Sequence, residues 1–444
     1  MKVLKFGGTS VGSPERIRNV AELITARGRN IVVLSAMAGT TNTLVEIGEY
    51  LYKHNINGAK EIINELERNY RRVVAVLFSD VDFRMEADGE VDAVFSLLRS
   101  LARDSFTEFE EKEILAQGEL LSTKLMHLYQ LQQGVHSAFL PALEFMKTDK
   151  NGEADMDFIT EHLTALLDEY PDADLYITQG YICRNAYGAT DNLRRGGSDL
   201  TASILGAAIN AKEIEIWTDI DGMHNNDPRY VENTSPVAEL HFDEAAELAY
   251  FGAKILHPTC VLPAKVNNIP VRLLNTMEPE AHGTLIYNTE TAHTIKAVAA
   301  KDDIIAIKIK SSRMMLASSF MHRVFEIFDN YNRPIDMIAT SEVGVSITID
   351  NPLKLEHIVD ELKEIGTVSI DRDMVIICVV GDLDWHNRGY EAAAIDALRD
   401  IPVRMISYGG SNNNISFLVS KEDKIPALRA LQKHLFSNCQ PSNP

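Results

Sequence analysis

The sequence is short of the residues that build secreted or membrane proteins. Cys183, Cys260, Cys378 and Cys439 are its four cysteines, far apart and without a C-x-x-C pair. That pattern predicts reduced thiols, a cytoplasmic setting and no zinc site. No run of about 18 apolar residues is present, so no membrane span is expected. The opening MKVLKFGG lacks the apolar centre of a secretion signal. Cations are scarce as well: 43 Lys and Arg against 64 Asp and Glu give a net charge of −21. Such a surface repels nucleic acid and anionic membrane, and neither is an expected partner. An anionic ligand would then need cations gathered locally, which makes each cation in a glycine-rich loop informative.

What is present suggests a large α/β protein. The 444 residues, 45% of them apolar, suffice for about three domains of ~150 residues. Val3–Phe6 reads as a buried strand ending in Gly7-Gly8, followed by a helix with Ser13 as cap and Pro14 at its first position. Ile31–Leu34 is a second continuous apolar strand, the pattern of a parallel sheet covered on both faces. A mostly helical stretch runs from about Leu44 to Gln133, with Ile114, Leu121, Leu125 and Leu128 at helical spacing. Leu175–Gln179, Glu213–Thr218 and Val271–Leu274 predict further strands. Beyond the polar Tyr287–Thr294 the elements shorten: a strand over Ile304–Ile309, then a helix over Met321–Asn330. An internal repeat follows. Pro334-Ile335-Asp336-Met337-Ile338 matches Pro402-Val403-Arg404-Met405-Ile406 at an offset of 68 residues. Each copy follows an amphipathic helix and precedes a turn and an alternating strand (Val345–Ile349; Ile415–Val419), as two βαββαβ-like units require.

Four segments carry candidate chemistry. In Lys5-Phe6-Gly7-Gly8-Thr9-Ser10, paired glycines let backbone N–H groups approach an anion, and Lys5 stands where α/β sheets place ligands. It is not a G-x-x-x-x-G-K-[ST] loop, and alone it is equally a tight turn. Arg194-Arg195-Gly196-Gly197-Ser198-Asp199 precedes a helix expected near Leu200, where Asp199 is also readable as a first-turn acid stabilised by the dipole. Trp217-Thr218-Asp219-Ile220-Asp221-Gly222 runs on to Asp227-Pro228-Arg229, and is otherwise an acid-rich connector. Phe251-Gly252-Ala253-Lys254-Ile255-Leu256-His257-Pro258 holds a lysine that is otherwise an ordinary surface residue.

Taken in this order, KFGGTS, RGGSD, WTD…DPR and GAK-x-LHP resemble the aspartate kinases of the amino-acid kinase superfamily. The resemblance spans essentially the whole chain, and the repeated C-terminal units resemble ACT domains. It implies a mainly parallel open sheet sandwiched by helices (the amino-acid kinase fold) over residues 1–290. Two intertwined α+β, ferredoxin-like ACT units would follow over 291–444. It also implies the reaction ATP + L-aspartate → ADP + 4-phospho-L-aspartate, with ATP as co-substrate and Mg2+ carried on the phosphates. The nucleophile is a carboxylate, ionised at neutral pH given its usual pKa of about 3.9, so charge neutralisation and positioning matter more than a general base. By resemblance, Lys5 neutralises the transferring phosphoryl group and Asp199 holds that lysine. Gly7 and Gly8 donate backbone hydrogen bonds to the phosphates. Thr218, Asp219, Arg229 and Lys254 match nucleotide positions, with His224 where many relatives have Tyr. Arg195 suits a carboxylate, Glu119 matches the acid that receives the α-ammonium, and Ser35, Thr41, Gly196 and Ser198 match positions beside the substrate.

The repeat resembles the sensing region of lysine-inhibited aspartate kinases. Met315, Ser318, Phe320, Met321, Asp336, Thr340, Ser341, Glu342 and Val343 match effector positions. The segment between Met315 and Phe320 is about one residue shorter than in that subgroup. Lysine is the first expected effector and threonine the second, with a homodimer or homotetramer formed through the ACT-like sheets. The length leaves no room for a fused homoserine dehydrogenase. The alternatives are a relative acting on glutamate or a carbamate, and a catalytically weak amino-acid sensor on the same fold.

Overall fold

The computed structural model describes residues 1–193, 196–252, 256–289, 294–310 and 319–436. The chain forms two compact units: Met1–Gly222 with Ile255–Asn288, and Met223–Lys254 with Thr289–Pro444.

The first unit opens with β1 (Val3–Phe6), α1 (Pro14–Ala26), β2 (Asn30–Leu34), α2 (Thr40–Tyr52), α3 (Ile56–Leu77), α4 (Val81–Leu101) and α5 (Glu108–Gln132). It continues with β3 (Ser137–Leu140), α6 (Ala142–Phe145), α7 (Met156–Glu169), β4 (Leu175–Gln179), β5 (Ile182–Arg184), β6 (Thr190–Asn192), α8 (Gly197–Ala208) and β7 (Ile214–Thr218). The chain enters the second unit for β8 (Glu239–His241) and α9 (Phe242–Tyr250). It returns to the first for α10 (Leu262–Val266), β9 (Val271–Asn275) and β10 (Thr284–Tyr287).

Within this unit the strands run in the order β3-β4-β2-β1-β7-β9-β10. All these pairings are parallel except β9 with β10. Side chains of β1 and β2 are nearly all buried, because helices cover both faces and an alternating pattern would leave polar groups dry. Trp217 is fully buried, stacks on Phe6 at 5.7 Å and donates its indole N–H to Glu215. The predicted helical stretch is α2 to α5, joined by short turns. α5 begins with a capping box at Thr107 and Glu110.

The second unit continues with β11 (Ile295–Lys310), α11 (Phe320–Asn330), β12 (Ile338–Ser341), β13 (Gly344–Ile349) and α12 (Leu355–Ile365). It ends with β14 (Thr367–Gly381), α13 (Tyr390–Ala397), β15 (Met405–Tyr408), β16 (Asn414–Ser420) and α14 (Lys424–Leu435). Its antiparallel sheet runs β12-β13-β11-β14-β16-β15. The expected strand over Ile304–Ile309 is only the second half of β11, which starts at Ile295. The polar Lys301-Asp302-Asp303 breaks the apolar run there, and the register with β14 shifts at the same place. The second halves of the two central strands differ in partner. The later half of β11 and the earlier half of β14 build one βαββαβ unit with α11, β12, β13 and α12. The later half of β14 builds the other with α13, β15, β16, α14 and the earlier half of β11. Asp303 and Asp373 adopt φ values of 60° and 54° at the two crossover points, a conformation that Asp tolerates better than most residues.

Met223–Lys254 belongs with the second unit, whereas the sequence reading placed it within 1–290. Long-range contacts explain the difference. Asn226 Nδ2 donates to Leu428 O, Arg429 to Tyr230 O, and the Val298 N–H to Asn225 O. Val231 joins the apolar core around Phe417 and Leu428.

Candidate active site

The carboxyl ends of β1, β2 and β4 and the starts of two helices surround a cavity of about 440 Å3 in the first unit. Both helices, α2 and α8, are preceded by a glycine with positive φ (Gly39 at 83°, Gly196 at 75°), and neither has a side-chain cap. The Thr40 N–H of α2 donates to Met37 O at 3.0 Å; the other first-turn N–H groups lack an intrahelical partner and can face water or an anion. Gly196 is required twice over: its φ is left-handed, and a Cβ would meet Cys260 Sγ at 2.6 Å and His257 Cβ at 2.8 Å. The Cys260 thiol donates to Gly196 O at 3.1 Å.

Lys5 Nζ lies 2.7 Å from Asp199 Oδ1, and each side chain is 12% exposed. Asp199 sits in the first turn of α8, which starts at Gly197, three residues before the expected start. It is thus a first-turn acid, and its carboxylate also pairs with the lysine. Glu119, on α5, is 3% exposed. Its Oε1 accepts the Ala36 N–H at 3.1 Å, and its Oε2 has no hydrogen-bond partner. Burial pushes this carboxyl up to about 7. Helix and loop meet closely here: a Cβ at Gly118 would come within 2.8 Å of Ala36 Cβ, and Ser122 Oγ donates to Ser35 O. That contact explains the small residue beside the acid.

Lys5, Gly8, Ser35, Thr41, Glu119, Gly196, Ser198 and Asp199 all line the cavity. Gly7 departs from expectation. Its N–H donates to Trp217 O at 3.2 Å, continuing the β1–β7 ladder, so it is not the phosphate donor read from the sequence. At Gly8 a Cβ would strike Ala36 O at 2.7 Å, so close packing demands glycine. Thr218 ends β7 and donates from Oγ1 to Asp219 Oδ1, with Asp219 exposed. Arg195 and Lys254 lie outside the described residues. The sequence reading missed Tyr181, which lines the same cavity at φ 70°. A bulky residue in that conformation is strained and points to a constrained site. Its N–H donates to Thr201 Oγ1, and the ring fills the space a side chain at Gly197 would take.

The remaining candidates belong to the second unit. His224 Nδ1 is 3.1 Å from Thr234 Oγ1. Arg229 is folded onto Asp227 through two nitrogens at 2.6–3.2 Å. Phe320 is buried in the α11 core and Met321 packs against it, so the Phe320 side chain serves the core. Thr340, Ser341, Glu342 and Val343 are exposed on the β12–β13 hairpin. Asp336 is already engaged: its Oδ1 is 2.5 Å from Lys301 Nζ and 2.8 Å from Tyr250 OH. Met315 and Ser318 lie outside the described residues.

Known proteins share this architecture. Residues 1–275 match the amino acid kinase family, and 377–435 match an ACT domain. Aspartokinase 1, chloroplastic, of Arabidopsis thaliana is 35% identical over 98% of this chain and 80% of its own. Lysine-sensitive aspartokinase 3 of Escherichia coli (strain K12) is 32% identical over 98% of this chain and 99% of its own. The crystal structure of E. coli aspartokinase III in complex with aspartate and ADP (R-state) superposes with a TM-score of 0.81 at 31% identity, over 98% and 100% of the two chains. That of the same enzyme with lysine and aspartate (T-state) gives 0.79, over 98% and 99%. With the family spanning more than half the sequence and full-length relatives above 30% identity, this chain belongs to the amino acid kinase family and, within it, to the aspartokinases.

Proposed function

We propose that this aspartokinase transfers the γ-phosphoryl group of ATP to the β-carboxylate of L-aspartate, opening the synthesis of the aspartate-derived amino acids, and that lysine inhibits it. The observation that carries the reading is the pairing, in one cavity, of the Lys5–Asp199 ion pair with a buried Glu119 whose second oxygen has no partner. A carboxylate taken out of water without a counter-charge is costly. An α-ammonium at Glu119 would supply that charge and orient the substrate's far carboxylate toward Lys5. No proton has to leave the nucleophile, so the site works by gathering positive potential: Lys5 and the N-termini of α2 and α8. Ser35, Thr41 and Ser198 supply hydroxyls beside the substrate, and by resemblance Arg195 clamps its α-carboxylate.

Gly7 gains a different role. Its φ of −71° is ordinary, and a Cβ there would meet only normal contacts, the nearest being Lys5 Nζ at 3.6 Å. Glycine leaves that face of the lysine open for a phosphate. Thr218 and Asp219, and by resemblance Lys254, serve the nucleotide, as do His224 and Arg229; a phosphate must compete with Asp227 for the Arg229 guanidinium. Among the described residues no group of three or more His, Cys, Asp or Glu is placed to hold a metal. Mg2+ fits as a companion of the ATP phosphates, where it would neutralise charge between the transferring groups. No helix among the described residues is long and apolar enough to cross a membrane, and the buried free thiols Cys183, Cys260 and Cys378 suit a reducing cytoplasm. A homodimer or homotetramer would form through the ACT-like domains.

A coupled ADP-release assay with aspartate, with glutamate and with neither tests the assignment. Release that depends on aspartate, and that Lys5→Ala lowers by about 100-fold or more in a folded protein, is the expected result. Absence of aspartate-dependent release from folded wild type would sink it.

A further inference from the structure

Asp336 stands out among the acids of the second unit. Its side chain is 1% exposed and its Oδ2 has no hydrogen-bond partner. Its other oxygen meets Lys301 Nζ at 2.5 Å and the Tyr250 hydroxyl at 2.8 Å. The same ammonium lies 3.0 Å from Asp350 Oδ2 and 4.3 Å from the centre of the Tyr250 ring. Two carboxylates and an aromatic face around one nitrogen, with a hydroxyl donating to the nearer carboxylate, are the features that recognise an alkylammonium ion. Burial still holds the Asp336 carboxyl above its usual range with Lys301 beside it.

The internal repeat separates this cluster from a plain strand-pinning ion pair. Lys301 lies opposite Ile376 in the ladder, and Asp371 lies opposite Ala306. The two positions are equivalents in the two copies, as are Asp336 and Arg404. Both pairs cross from one copy to the other, and the equivalent crossing carries the charges reversed, Arg404 Nε to Asp371 Oδ2 at 2.8 Å. That pair is open to solvent, with side chains 34% and 44% exposed. Pinning therefore needs no burial, and the Lys301–Asp336 crossing adds Tyr250, Asp350 and a buried, half-satisfied acid.

We propose that Tyr250, Asp336 and Asp350 form an ammonium-binding cage that Lys301 fills from within the chain, and that an amine effector binds by displacing Lys301. The proposal rests on the reading of lysine as effector and of Asp336 as its acid, and it deepens that reading: Lys301 is a tethered competitor that sets the concentration at which the effector acts. A tethered group has a high effective concentration, so it raises the apparent dissociation constant of a free one. Tyr250 ends α9, within the segment that also carries His224 and Arg229, so the displaced contacts include one on that segment.

The direct test removes the tether and returns its ammonium in solution. Lys301→Ala deletes the atoms of a propylammonium ion. n-Propylammonium chloride should raise the Tm of Lys301→Ala well beyond an equal concentration of NaCl, and should not do so for wild type or for Lys301→Ala/Asp336→Asn. Should Lys301→Ala fold only with propylammonium, the result is the same. An equal response in the single and double variants, or a single variant that stays unfolded with the amine while the double variant folds, overturns the cage. In ADP-release assays Lys301→Met should need about tenfold less lysine for half-inhibition than wild type. An unchanged requirement overturns the competitor role. If propylammonium rescues but lysine inhibits neither protein, the cage stands and the effector reading fails.

Discussion

Glu119 keeps one oxygen on the Ala36 N–H and the other without a partner, and its pKa rises to about 7 from an ordinary 4.5. The folded protein therefore binds this proton more tightly than the unfolded chain does. Stability from this group is retained below pH 4.5, declines as pH rises toward 7, and is lowest above it. Glu119→Gln keeps the Ala36 hydrogen bond and removes the charge. It should stabilise the unliganded protein by about 2–3 kcal/mol at pH 8, with the gain vanishing near pH 4. The same change should raise KM for aspartate, because an amide cannot pair an ammonium. In wild type, KM should rise as pH falls below about 7 while Glu119 takes up its proton. Thermal melts and initial rates across this range check both; a flat KM between pH 8 and 6 would remove Glu119 from the ammonium site. Lys5 and Asp199 stood out in the sequence as a lysine just before paired glycines and an acid at a helix start, but their pairing came only with the family resemblance. Tyr181 did not stand out: its role comes from one strained backbone angle, and no spacing announces that.

Among the elements, α8 depends on a close approach to the end of β4. A Cβ at Gly180 would fall within 2.5–2.8 Å of Ser198, backbone included. Gly180→Ala must then push back the first turn of α8, with Ser198 and Asp199 on it. The expected cost is about 1–3 kcal/mol of stability, with kcat falling further than stability alone would explain, because the Lys5–Asp199 pair loosens. A melt combined with kinetics at a temperature where the variant is folded decides it; normal kcat would show that the α8 start need not be held so closely. The apolar strands β1, β2, β4, β7 and β9 were readable as elements because continuous burial leaves continuous apolar runs. The tie of Met223–Lys254 to the second unit was not, since it rests on backbone-directed hydrogen bonds such as Asn226 to Leu428. Half of β11 was hidden because its middle is polar where the two copies cross.

At the scale of the whole molecule, sensing and catalysis lie on one chain, so any amine effector must act through a difference in its affinity for two states. Lysine should raise the Tm and lower aspartate-dependent ADP release together, with threonine weaker in both. Separate titrations measure this, and a Tm shift without inhibition would show a bound amine that is not an effector. The repeat was visible as Pro334–Ile338 and Pro402–Ile406, while its intertwining came only with the resemblance to ACT domains, because pairing partners leave no mark on local composition.

That sharing has a consequence for how such a protein can change over generations. The ACT match covers 377–435, yet the strand that closes this unit's sheet is the earlier half of β11, which pairs with Ile376–Gly381 from the far side of the first copy. The second sensor is written around the first, like an outer bracket around an inner one. Deleting or exchanging the inner text leaves the outer one able to close. Cutting after the inner one strands an unpaired half of β11. A duplication arranged in this way is asymmetric in its history: the enclosed copy is free to be replaced, and the enclosing copy has to stay.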